Sequence, residues 1–184
     1  MKVKGTAVKT IPEFIKSEHP EKYKEWMEKL SPTSRELFLN GALASEWYPI
    51  EDAIIQPTKI MSELCYEHPT KGAFECGRYS AEVSLKGIYK FYVKMSSPRH
   101  IIDRASRVLQ AYYDPSELKV VSKSSDHVTV HIVKWPTPNE VVDQRLAGWM
   151  EKALEISGCK DVKVNIAKSL AKGDKYTEFA ITWN

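Results

Sequence analysis

Three cysteines and eight glycines in 184 residues leave little material for the sites these two residue types usually build. The cysteines stand at 65, 76 and 159, an odd count with no CxxC pair. That spacing excludes a disulfide framework and a zinc ribbon, and it predicts reduced thiols in a cytoplasmic protein. The glycines are scattered, with no GxGxxG and no GxxxxGK[ST], so neither dinucleotide nor phosphate-loop binding is encoded. Neither HExxH nor GxSxG occurs, which removes the common zinc-protease and serine-hydrolase signatures. An excess of one charge is missing too: 27 Lys plus Arg against 24 Asp plus Glu give +3, too little to predict nucleic-acid binding. Long apolar runs are also lacking. Charge-free stretches such as Leu37 to Ser45 fall far short of the roughly 20 apolar residues of a spanning helix. The lysines of Met1-Lys2-Val3-Lys4-Gly5-Thr6 have no apolar h-region behind them, so no signal peptide is expected.

What is present is a chain of near-average composition that changes character close to residue 115. Residues 1–114 read as mainly helical, and residues 115–184 as a sheet plus one helix, within a single domain. Short helical pieces broken by prolines fill the first 45 residues, and Val3 to Val8 suits a strand or an extended arm. A helix from about Ile50 to His68 follows the Trp47-Tyr48-Pro49 corner, with Pro57 expected to kink it. Ser97-Pro98 restarts a helix that ends near Tyr113-Asp114-Pro115. Leu118 and Val120, then Val128, Val130 and Ile132, alternate as two strands around the turn Lys123-Ser124-Ser125-Asp126. Thr137 is read as the N-cap of the next helix, with Glu140 closing a capping box and Gly158 at its end. Val162, Val164 and Ile166, then Thr177, Phe179, Ile181 and Trp183, form a second hairpin around Lys172-Gly173-Asp174. The expected fold class is α+β: an N-terminal helical region, then a four-stranded antiparallel sheet (hairpin, helix, hairpin) with helices on one face.

A helix from about Thr70 to Met95 is the most informative segment. Its apolar side, including Phe74, Ala81, Leu85 and Tyr92, runs beside a stripe of small residues: Gly77, Ser80, Ser84 and Gly87. Glycine inside a helix costs about 1 kcal/mol relative to alanine, so a compensating contact is expected. Close packing of another helix supplies it most simply; a ligand lying against bare backbone is the alternative. Trp149, Phe179 and Tyr92 are the candidate ligand-lining residues, although the same aromatics serve equally in core packing. Cys65, His68 and Cys76 have partial zinc spacing without a fourth ligand, and Cys65 sits on an apolar face. His127 and His131 share one strand face, either as a solvated surface or as a ligand pair. Lys86, Lys90, Lys94 and Arg99 to Arg107, among Tyr89, Phe91 and Tyr92, form the nearest thing to a basic patch and read as an outer helix face.

Gly77-Arg78-Tyr79-Ser80-Ala81-Glu82, continued by Leu85-Lys86-Gly87-Ile88-Tyr89-Lys90, resembles the central-helix signature of a bacterial family of about this length. That family is abundant as paralogues in myxobacteria and is of unknown function. Val3-Lys4-Gly5-Thr6, Trp47-Tyr48-Pro49, Ser97-Pro98, Tyr112-Tyr113-Asp114, Ala147-Gly148-Trp149 and Gly158 with Lys160-Asp161-Val162 extend the likeness over nearly the whole chain. The family is similar in turn to a superfamily of heme-based nitric-oxide sensor domains, 4-vinyl reductase-type sensor domains and small subunits of TRAPP tethering complexes. The resemblance implies a domain, often dimeric, whose apolar interior admits a small molecule, a lipid chain or heme.

Two departures shape the expectation. Heme-based members carry a proximal histidine in the helix before the first hairpin and a Tyr-x-Ser-x-Arg motif after it. Here that helix has only His100, at its first turn, and the hairpin exit reads His131-Ile132-Val133-Lys134-Trp135-Pro136. Vinyl-reductase-type members place cysteines in the last hairpin, where Ser169 and Thr177 stand in this chain. No heme and no zinc are therefore expected. The resemblance implies a non-enzymatic, sensor-like or regulatory domain binding a small apolar ligand or a protein partner, and a homodimer is expected. A dimeric scaffold with a solid core and a 4-vinyl reductase-type enzyme acting on a tetrapyrrole are the alternatives.

Overall fold

The computed structural model describes residues 1–85 and 98–184. The expectations placed on Tyr92 and Gly87, the second half of the helix read from Thr70 to Met95, and the side chain of His100 lie outside what is described.

The chain opens with strand β1 (Lys2–Lys4), helix α1 (Gly5–Val8) and helix α2 (Thr10–Glu18). Val3 to Val8 is thus a strand and then a helix. A 3-10 turn at Pro20–Lys22 leads into α3 (Tyr23–Lys29) and α4 (Pro32–Asn40), the latter capped by the Ser31 hydroxyl, which accepts from the Ser34 amide. Strand β2 (Trp47–Pro49) pairs with β1, and so does the two-residue β3 (Tyr113–Asp114), giving a small sheet in the order β2-β1-β3. Val3, completely buried at its centre, lies opposite both Tyr48 and Tyr113. Strands of two and three residues carry no readable alternation, which is why the sequence pattern does not announce this second sheet.

The helix expected from Ile50 to His68 is two pieces. Glu51–Ile55 is a π-turn in which the Gln56 amide reaches the Glu51 carbonyl, and α5 (Gln56–Cys65) follows. Pro57 has no N–H to give the preceding turn, and it stands directly after the π-turn, at the start of α5. Its carbonyl accepts from the indole N–H of the fully buried Trp26 at 2.9 Å. Beyond Tyr66, whose backbone is extended, α6 (Pro69–Ser84) begins.

Helix α7 (Pro98–Tyr112) precedes β3, and the chain then forms β4 (Glu117–Lys123), β5 (His127–Lys134), α8 (Glu140–Ile156), β6 (Lys163–Lys168) and β7 (Thr177–Thr182). These strands make an antiparallel sheet in the order β4-β5-β7-β6, so two hairpins meet along β5 and β7. Val128, Val130 and Ile132 face Ile181, Phe179 and Thr177 across that seam, and all six are buried. Period-two burial of this kind is what a sheet covered on one face by helices requires. The α+β reading, with a hairpin, a helix and a hairpin, describes the second half of the molecule.

The start of α8 differs from the sequence reading. Asn139, not Thr137, is the N-cap: its side chain accepts from the Val141 amide at 2.9 Å, so Pro138 precedes the helix. Asparagine is at least as good an N-cap as threonine. The other end follows expectation. Gly158, at φ +107°, closes a Schellman motif in which the Cys159 amide reaches Leu154 O and the Gly158 amide reaches Glu155 O.

Candidate functional site

Helices α6 and α8 lie along one another, and at two points their backbones touch. A Cβ on Gly77 would stand 2.0 Å from the Arg145 carbonyl oxygen, and one on Gly148 would stand 2.0 Å from that of Phe74. Gly77 of the small-residue stripe therefore sits against α8. Ser80 is buried, and Ser84 is half-buried at the end of α6. Flanking this crossing, Arg78 forms ion pairs with Glu151 and Glu155, the latter at 3.0 Å.

The crossing delivers Arg145 into the interior. Its side chain is only 2% exposed. One guanidinium nitrogen, Nη1, donates to Cys76 Sγ at 2.6 Å. The other, Nη2, donates to the Ala7 carbonyl at 3.1 Å and to Thr10 Oγ1 at 2.7 Å, and that hydroxyl in turn donates to Ala7 O. Burial pushes the Cys76 thiol up while Arg145 pulls it down, and the Tyr113 phenol is raised by burial against the same neighbour. Sequence reading passed over Arg145 because an arginine in an amphipathic helix ordinarily marks the solvated face.

Beside this cluster lies a cavity of about 100 Å³. Helix α7 contributes Ile102, Ala105 and Leu109 to its wall, and the sheet contributes Leu118, Val130 and Ile181. From α8 come Leu146, Trp149 and Ala153, along with Arg145, while Ser80 and Ala7 close the side nearest α6. Among the described residues the wall is apolar except for the Arg145, Ser80 and tyrosine groups. Trp149 lines it. Phe179 is fully buried in the core and is not among the lining residues, since its neighbours on β5 and β7 fill the space around it.

A second polar cluster occupies the last hairpin. The Ser169 hydroxyl donates to Asp143 Oδ2, Ser169 Oγ also accepts from the Ala171 amide at 3.0 Å, and Thr177 Oγ1 accepts from the Leu170 amide at 3.0 Å. Ser169 and Thr177, the positions compared with cysteines in the sequence, are thus tied to backbone amides and to a buried carboxylate. Burial raises the Asp143 carboxyl above its ordinary value, opposed by hydrogen bonds from Ser169 and Thr177. A carboxyl raised on folding binds its proton more tightly in the native state, so this group adds stability as pH falls from neutrality through its folded pKa, the gain being complete below the unfolded value of about 3.9. We expect the melting temperature of wild type, relative to Asp143→Asn, to rise as pH is lowered through that window; a difference that stays flat or falls contradicts the assignment.

The remaining candidates separate. His131 Nε2 pairs with Glu178 Oε2 at 2.6 Å and its ring stacks on Tyr176 with centroids 4.0 Å apart, whereas His127 bonds Ser124 and Asp126 in the turn. Cys65 is half-buried, Cys76 is committed to Arg145, and among the described residues no group of three or more His, Cys, Asp or Glu is arranged to hold a metal ion. Nor is any described helix long and apolar enough to cross a membrane.

Comparison of sequences finds no matching family model and no matching curated protein. Comparison of structures does find matches. An H-NOX protein from S. oneidensis in the Fe(II)NO ligation state superposes with a TM-score of 0.75 at 10% identity, covering 98% of this chain and 99% of that one. The Fe(II) unliganded H-NOX protein from K. algicida gives 0.73 at 12% identity, covering 98% and 96%. The H-NOX from Shewanella woodyi in the Fe(II)CO ligation state gives 0.66 at 13% identity, covering 97% and 93%. At such low identities the likeness is one of fold, and over nearly its whole length this chain has the fold of an H-NOX domain.

Proposed function

We propose that this chain is a non-enzymatic, sensor-like domain whose interior cavity takes a small, largely apolar molecule without using heme or zinc. The observation that carries the reading is the cavity itself: a partly open space of about 100 Å³ between α7, α8 and the sheet, whose described lining is almost entirely apolar. An apolar cavity of roughly 150 Å³ in another protein stays dry and binds benzene, so a void of this order suits a molecule of about that size or smaller. The H-NOX proteins that share the fold are described with an iron that carries NO or CO. The heme-free part of the reading is supported by the described lining, which includes no histidine or cysteine.

Two measurements test the proposal. Toluene or hexan-1-ol at saturating concentration is expected to raise the melting temperature, because a ligand bound only to the native state stabilises it by mass action. Hemin titrated into the purified protein is expected to give no sharpened absorbance band. Absence of any thermal shift would overturn the cavity reading, and stoichiometric hemin uptake would overturn the heme-free one.

A further inference from the structure

We propose that the ligand of this cavity is a small amphipathic monoanion, a carboxylate on a short apolar body, with its oxygens directed to Arg145. The inference rests on the reading that the cavity binds a small molecule, and it adds the chemistry of the ligand's polar end. Arginine remains protonated in proteins, so Arg145, buried and among the residues that line the cavity, brings a fixed positive charge beside it. Burying a charge is costly unless an opposite charge or a full set of hydrogen bonds compensates it. Every partner of Arg145 is formally neutral when protonated or is a backbone carbonyl: the Cys76 thiol, the Thr10 hydroxyl, the Tyr113 phenol and Ala7 O. Among the described residues no Asp or Glu forms an ion pair with it. Residues 86–97 supply none either, because that stretch contains three lysines and no acidic residue. Among the described residues, Arg145 is therefore an interior cation beside the cavity with no Asp or Glu paired to it.

A carboxylate fits both needs. Its two oxygens match the planar guanidinium, forming charge-assisted hydrogen bonds that are roughly twice as strong as neutral ones. A short alkyl or phenyl body is what the surrounding Leu109, Val130, Leu146 and Trp149 would cover, and Ser80 offers a further hydroxyl on the same wall.

The test compares isosteric pairs on the wild-type protein at constant ionic strength: hexanoate against hexan-1-ol, and benzoate against benzyl alcohol, by calorimetric titration. We expect each carboxylate to bind at least about tenfold more tightly than its alcohol. Arg145→Lys should keep a preference for the anion, while Arg145→Met should bring the pair to parity or reverse it. The wild-type comparison decides the question even if Arg145→Met does not fold. Alcohols that bind as well as carboxylates, or better, make Arg145 a structural pin between helices and overturn this proposal while leaving the cavity reading intact. If neither member of either pair binds, the cavity reading itself fails.

Discussion

Alanine at Gly148 is expected to destabilise the protein by about 3 kcal/mol or more, even though alanine is the better helix former. In a helix interior free of neighbours the same change is worth roughly 1 kcal/mol in the stabilising direction. The sign therefore reports whether a second backbone is in the way. A Cβ at Gly148 would meet Phe74 O at 2.0 Å and Phe74 C at 2.9 Å, distances that rotamer adjustment cannot relieve because the obstacle is main chain. The helices themselves must part. Overpacking ordinarily costs about 1–3 kcal/mol, and here the displacement reaches a second contact, where a Cβ on Gly77 would likewise stand 2.0 Å from the Arg145 carbonyl oxygen. At roughly 2–4 °C per kcal/mol for a chain of this size, the melting temperature should fall by about 6 °C or more. Gly77→Ala should behave alike. A neutral or stabilising outcome for both would mean that α6 and α8 do not approach as described.

That crossing is also what assembles the site. Cys76 lies next to Gly77 on α6, and Arg145 lies three residues before Gly148 on α8, so the closest approach of the two helices brings thiol and guanidinium together. Two bare backbones let α8 sit deep enough for its arginine to reach past α6 to Ala7 and Thr10. A bulkier pair at the crossing would lift the guanidinium out of reach of those acceptors. The glycines and the buried charge are thus one arrangement, in which packing geometry sets the polar end of the cavity.

How much of this was legible in the sequence depends on the range of the interactions involved. The four-stranded sheet was readable because Val128, Val130 and Ile132 alternate strictly, as do Thr177, Phe179 and Ile181, and period two needs only near neighbours to express it. Gly77 drew attention because glycine is costly in a helix. Its counterpart Gly148 stood in the sequence only as part of the triplet Ala147-Gly148-Trp149, since nothing local says which two glycines will meet. Arg145 was invisible for a stronger reason: three charged residues open the same helix, and only its packing shows which way the arginine points. Phe179 and Trp149 illustrate the same limit on the apolar side. Alternation and helical spacing place both inward, but which inward residue borders a void depends on the volumes contributed by α7 and the sheet together.

Leucine at Ala153 is expected to raise the melting temperature by a few degrees and at the same time abolish binding of hexanoate and hexan-1-ol. Ala153 is 2% exposed on α8 and forms part of the cavity wall, so the three carbons added by leucine point into the void. In a solid core the same substitution would be overpacking, costing about 1–3 kcal/mol. Filling an existing cavity acts the other way, with gains of roughly 0.5–2 kcal/mol, or about 2–4 °C per kcal/mol at this chain length. The sign again discriminates, this time between a domain built around a ligand and a scaffold with a filled interior. Since Ala153 makes none of the hydrogen bonds to Arg145, the polar cluster at Cys76, Thr10 and Ala7 should persist in the variant. Loss of binding by Ala153→Leu then reflects lost space, whereas loss of the carboxylate preference in Arg145→Met reflects lost charge. A stabilised Ala153→Leu that still binds hexanoate at full affinity would place the ligand elsewhere on the molecule, and a destabilised one would mean the interior has no room to fill.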